Sequence, residues 1–209
     1  KFETIKIFLE VRMLKIFLLG IISGFPWVLI GSSLSLWLKE EGLSRSTIGW
    51  AGAIFAVYAI NYLWAPLVDK LKIFWLTKKI GHRKSWIFLM QLFIGISLLI
   101  WSSINPEKNL FFIILIGLLI AIFSSTQDIS IDALRIEQIK SNESNIMAAA
   151  ASMAVMGWWT GFKIGGLVSL FISEFFEKLG FYNYWQITFI FLFFILMILN
   201  FLLLTIKET

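Results

Sequence analysis

Six runs of about twenty predominantly apolar residues, divided by short polar turns, decide what this chain can become. They cover about 14–38, 48–68, 86–104, 110–134, 146–172 and 185–206. A helix needs roughly twenty apolar residues to cross the hydrocarbon core of a bilayer. No stretch alternates with the two-residue period of a barrel strand. Composition supports this reading, because only 15% of residues are charged and mean hydropathy is +0.86, against about a quarter charged in a soluble domain. The expectation is an all-α membrane protein with six transmembrane helices and one domain over 1–209.

The net charge of +5 raises the question of nucleic acid, and its distribution answers against it. If successive loops are assigned alternately to two sides, 13 of the 18 basic residues fall on the side holding both termini and the 69–85 loop. Four fall on the other side, and Lys163 lies inside the fifth run. Lys and Arg stay in the cytoplasm during insertion. Both termini are therefore expected inside, and no nucleic-acid partner is expected.

Chemistry of other classes finds little support. There are no cysteines and one histidine, His82, so no zinc-type ligand set is expected. No Walker A loop, nucleotide-binding glycine fingerprint or nucleophile elbow occurs. The reading is neither an enzyme nor a carrier of a metal or cofactor. The membrane-compatible alternatives are a transporter and a non-transporting scaffold subunit.

Four places could carry function. The first run holds Gly20, Gly24 and Pro26. A G-x-x-x-G pair lets helices approach closely, and proline removes a backbone donor and bends a helix. Gly24 and Pro26 are thus candidates for a helix break or gate, or for ordinary packing. In the fifth run Gly157, Gly161 and Gly165 repeat every four residues on one face, so Gly161 and Gly165 are candidates for packing or gating. Trp158 beside them could stack on a sugar ring or simply pack. Between the second and third runs, Asp69 and the basic pair Arg83 and Lys84 could form a charge latch. The fourth run ends in Gln127, Asp128, Asp132 and Arg135. Asp128 and Asp132, four apart, share a helix face. A charge inside a bilayer costs about 3 kcal/mol on insertion scales and persists mainly where it faces an interior or a wet cavity. Two acids this close repel when both ionise. The alternative is a pair of interfacial acids beyond a helix that ends near Thr126. Lys163, the one base inside a run, is a candidate for binding an anionic substrate or for reaching the membrane surface. Direct pairing of Lys163 with Asp128 is not expected.

These stretches carry a family resemblance. Asp-Lys at 69–70 followed by Gly-x-Arg-Lys at 81–84 resembles the loop signature of the major facilitator superfamily. It departs by the insertion Leu71–Ile80 and by His82 where Arg is usual. "GFPWVLIGSSLSLWLKEEGLSRSTIG", "YLWAPLVDK" and "SSTQDISIDALRIE" are similar, in order and spacing, to the AmpG muropeptide permeases. The related acetyl-CoA transporters share much of the pattern. The resemblance implies a proton-driven importer of anhydro-muropeptides, products of cell-wall recycling, in the bacterial inner membrane. It implies protons, lipid and a small glycopeptide as partners, and it supports proton coupling at Asp128 and Asp132. The residues themselves make Gln127, Lys163 and Trp158 the candidates for substrate contact. The six runs would be the N-terminal half of a twelve-span transporter, with the C-terminal six-helix half outside this chain.

Overall fold

A computed structural model describes residues 7–139 and 144–208, the side chains of residues 144 and 145 excepted. Three of the counted basic residues, Lys1, Lys6 and Lys140, lie outside the described residues. Among the described residues the regular elements are all helical. Six helices are long and apolar enough to cross a membrane: Val11–Glu40, Arg45–Leu63, His82–Trp101, Pro106–Glu137, Ile146–Lys178 and Tyr184–Leu203. They are spans 1 to 6 below.

Span 1 changes its winding part-way. An α-helix over Val11–Val28 contains Pro26, a π-helical turn follows over Leu29–Ser33, and α-helix resumes over Leu34–Glu40. Proline offers no N–H to the carbonyl four residues back, and the wider turn lies directly beyond it. Span 2 is less regular still. Ser44 opens it, its hydroxyl accepting from the Thr47 N–H at 3.2 Å. The helix then passes through 3-10 turns at Gly52–Phe55 and Asn61–Leu63 before a last α segment, Ala65–Lys70, with Pro66 in its first turn. Pro66 has no N–H to give the preceding turn, and the chain breaks at Trp64 and restarts.

Span 4 kinks at Asn109, whose backbone is not helical (φ −132°, ψ 32°), and from there runs unbroken past the acids to Glu137. Asn105 starts it, its side chain accepting from the Glu107 N–H at 3.0 Å. At 1.5 Å per residue the stretch from Leu110 to Glu137 extends about 42 Å, well beyond a hydrocarbon core of about 30 Å. The helix therefore does not stop at Thr126. Asp128 and Asp132 sit inside it.

Spans 1 and 5 lie backbone to backbone. A Cβ added at Gly20, Gly24, Gly157 or Gly161 would run into the carbonyl oxygen of Ala154, Trp158, Phe17 or Ile21 respectively. One added at Gly165 would strike the Val28 side chain. Only glycine lets two helices approach this closely. Away from that seam the core is aliphatic and aromatic. Trp37, Trp101 and Phe189 join spans 1, 3 and 6, with ring centres 4.9 Å apart for Trp37–Phe189 and 5.2 Å for Trp101–Phe189. The Trp101 indole N–H donates to the Ile113 carbonyl at 3.2 Å, so a buried donor is not left without a partner.

Candidate functional site

The site begins with the donor that Pro26 lacks. In a regular helix residue 26 would donate to the carbonyl of Ile22. Instead the Gln127 side chain supplies the donor, its Nε2 lying 3.1 Å from the Ile22 oxygen. Gln127 is fully buried, and this bond ties span 4 to the weak point of span 1. The next residue on each helix continues the contact. The Ser23 hydroxyl donates to Asp128 Oδ1 at 2.7 Å. Asp132, one turn further, is exposed and pairs with Arg135 at 3.1 Å.

Ser23, Asp132 and Arg135 line a cavity of about 170 Å3 between spans 1, 4 and 5, with Trp158 on its far wall. Aromatic rings extend from that wall. Trp27 lies 4.3 Å from Tyr58, 5.0 Å from Phe55 and 5.7 Å from Trp158, centre to centre. Trp158 stacks on Phe162 at 5.5 Å with the rings 11° from parallel. The arrangement offers flat apolar faces beside one half-buried and one exposed carboxylate and a guanidinium. Such a surface suits a ligand with both ring faces and charge.

Lys163 occupies another level. It is exposed and lines a separate cavity of about 160 Å3 with Ser32, Ser33 and Ser169. Ser33 and Ser169 share a hydrogen bond of 2.8 Å. Ser32 stands nine residues beyond Ser23, about 13 Å along the helix. The structure does not bring Lys163 to Asp128, and among the described residues Lys163 forms no ion pair.

The basic ends of the spans meet in one network. Arg83 bridges Asp69, in the segment Ala65–Lys70 beyond span 2, and, at 3.7 Å, Glu137 at the end of span 4. Glu208, beyond span 6, accepts from the backbone N–H groups of Arg83 and Lys84 at 2.8 and 3.0 Å. A carboxylate there satisfies donors that the first turn of a helix cannot satisfy itself and complements its dipole. Gly81 makes room for it: its φ is +100°, and a Cβ would strike the Glu208 carboxylate. Lys84 joins this network through its backbone, not through an ion pair among the described residues. At the opposite ends, Glu40 closes span 1 by accepting from Tyr184 at 3.0 Å and Trp185 at 2.5 Å on span 6. Burial, with Glu107 and Glu40 nearby, lifts the adjoining Glu41 carboxyl above its ordinary value.

Sequence reasoning did not single out Ser23, Tyr58, Glu40, Glu137 or Glu208. Ser23 had a signal, as a hydroxyl between Gly20 and Pro26 in an otherwise apolar run. Glu208 had none, since its partners lie 124 and 125 residues away.

The model of the Major Facilitator Superfamily matches residues 16–209. "Putative transporter AmpG 4" of Rickettsia conorii is 36% identical over 203 residues, covering 97% of this chain and 47% of that protein. "Putative transporter AmpG 1" of Rickettsia bellii is 36% identical over 185 residues, covering 88% and 44%. "Putative transporter AmpG 3" of Rickettsia prowazekii is 32% identical over 199 residues, covering 95% and 45%. The chain thus spans about half the length of the curated relatives it matches.

Proposed function

The chain belongs to the major facilitator superfamily, and on that premise we propose that it is the N-terminal six-helix half of a proton-driven importer. Its cargo is anhydro-muropeptide, and its place is a bacterial inner membrane with both termini on the cytoplasmic side. The 13-to-4 division of basic residues supports that orientation.

One observation carries the mechanism: Asp128 is held by Ser23 beside the cavity that Asp132 and Arg135 line. Ionised, the Asp128 carboxylate accepts the Ser23 O–H. Protonated, it donates its own. Ionisation places a second negative charge one helical turn from Asp132, whose charge Arg135 offsets. Proton uptake and release at this pair then alter the charge that faces the cargo. Trp158, Trp27 and Phe162 offer faces to sugar rings. Arg135, and Lys163 nearer the other membrane surface, attract the carboxylates of the peptide. Gln127 holds the frame, and Gly24, Pro26, Gly161 and Gly165 set where spans 1 and 5 can bend or slide. Asp69, Arg83 and Lys84 latch the cytoplasmic ends.

The serine-lined cavity at Lys163 also favours a second reading, another anionic solute such as acetyl-CoA. Uptake of labelled anhydro-muropeptide, with and without excess acetyl-CoA, into vesicles containing the full-length carrier separates the two. Asp128→Asn and Asp132→Asn should each lower proton-driven uptake more than tenfold at unchanged membrane content. Normal uptake by both variants across a pH series would make the acids structural and end the coupling assignment.

A further inference from the structure

The insertion Leu71–Ile80 builds a short helix of its own, Phe74–Ile80, between spans 2 and 3. Phe74 and Trp75 project outward, 77% and 66% exposed. Lys78 Nζ lies 4.3 Å from the centre of the Phe74 ring, and Lys79 Nζ lies 4.0 Å from that of Trp75. Lys70 and Lys72 are exposed just before it. None of these four lysines forms an ion pair among the described residues. Exposed rings carrying ammonium groups suit the headgroup layer of a membrane, where Trp and Lys both concentrate.

Beside this helix runs a groove of about 490 Å3, walled by Trp64, Leu67, Leu71, Trp86, Met90 and Phe123. Its few polar side-chain groups are already engaged. Trp64 Nε1 donates to Thr126 Oγ1 at 3.0 Å, and the Thr126 hydroxyl donates to the Ile122 carbonyl at 2.6 Å. Trp86 Nε1 donates to the Leu71 carbonyl at 3.0 Å. A peptide or sugar would lose its water there without replacement, whereas an alkyl chain loses nothing. Leu71 belongs to both features, so the groove ends where the lysines begin.

We propose that groove and helix together bind one anionic glycerophospholipid of the leaflet on the basic side. An acyl chain lies along Trp64, Leu67, Trp86 and Met90, and the phosphate meets Lys70, Lys72, Lys78 and Lys79. Charge complementarity selects this occupant. Each lysine near an anionic surface favours it by about fivefold, and a zwitterionic lipid gains little.

The test uses the purified chain in neutral detergent, read by its unfolding temperature. Dioleoyl phosphatidylglycerol should raise that temperature in a saturable way, while dioleoyl phosphatidylcholine and glycerol phosphate should not. Replacing the four lysines with glutamine should weaken the apparent affinity more than tenfold. Should that variant fail to fold, the wild-type chain still decides. A phosphatidylglycerol with a photoreactive acyl chain should cross-link within residues 64–71 and 86–90. Three results would overturn the proposal: an equal response to phosphatidylcholine, a full response to glycerol phosphate, or cross-links spread evenly over the outer faces of all spans. A second copy of the chain cross-linked across the groove would overturn it as well.

Discussion

Span 5 and span 2 both flank span 1, and they treat it in opposite ways. Span 5 meets it without side chains between them, glycine against backbone, along the stretch from Phe17 to Gly24. Span 2 leaves Trp50, Ile60, Tyr62 and Leu63 uncovered and breaks its helix twice. Its glycines, Gly49 and Gly52, meet nothing within 4 Å. In a bilayer, apolar side chains gain little by leaving lipid for a neighbour, so helices associate through close packing and shared polar groups. The closed seam is therefore a contact that this chain completes itself. The open face is a surface that no other described residue of this chain covers.

The largest effect should come from placing one side chain in each region. Gly24→Leu puts atoms where the Trp158 carbonyl stands and should cost about 3 kcal/mol or more. Gly49→Leu has open space and better helix propensity, and should change stability by less than about 1 kcal/mol. Unfolding in mixed micelles titrated with a denaturing detergent would compare them. Equal losses would erase the contrast between seam and face. A smaller effect sharpens it from the other side. Leu63→Ser lies on the open face, so it should alter the stability of this chain by no more than about 0.5 kcal/mol. Uptake by the full-length carrier should nonetheless fall severalfold. If stability falls and uptake does not, span 2 is packed within this half. The smallest effect concerns the ends that hold both regions in place. Glu208→Gln keeps an acceptor but loses the charge at the start of span 3, and should cost about 1 kcal/mol. The loss should shrink in high salt as exposed charges are screened.

The two regions also differ in how far the sequence discloses them. The four-residue glycine repeats of runs one and five state that something approaches closely, because no other residue type leaves a backbone bare at that spacing. Apolar length alone reveals the six spans. It says nothing of winding, so the breaks in span 2 and the π turn after Pro26 were not legible. Those depend on which carbonyls find donors, and the donors come from other helices. The site divides likewise. Asp128, Asp132 and Arg135 stand out as charges beside an apolar run, and Asp69 and Arg83 as opposite charges at adjoining span ends. Ser23 as the partner of Asp128, and Glu137 and Glu208 on the Arg83 loop, are choices made by tertiary packing across tens of residues.

The bond between Gln127 and the Ile22 carbonyl has a consequence for inheritance. It exists because position 26 is proline, so the two positions, 101 residues apart in the chain, carry a single structural message. A lineage that exchanged Pro26 for an ordinary residue would restore the internal backbone donor and leave the Gln127 amide buried with nothing to hold. A lineage that lost Gln127 first would leave a bare carbonyl inside the membrane. Each loss alone is harmful, and the second repairs the first. Descendants should therefore keep the pair or shed it together, and a suppressor of one change should be sought at the other.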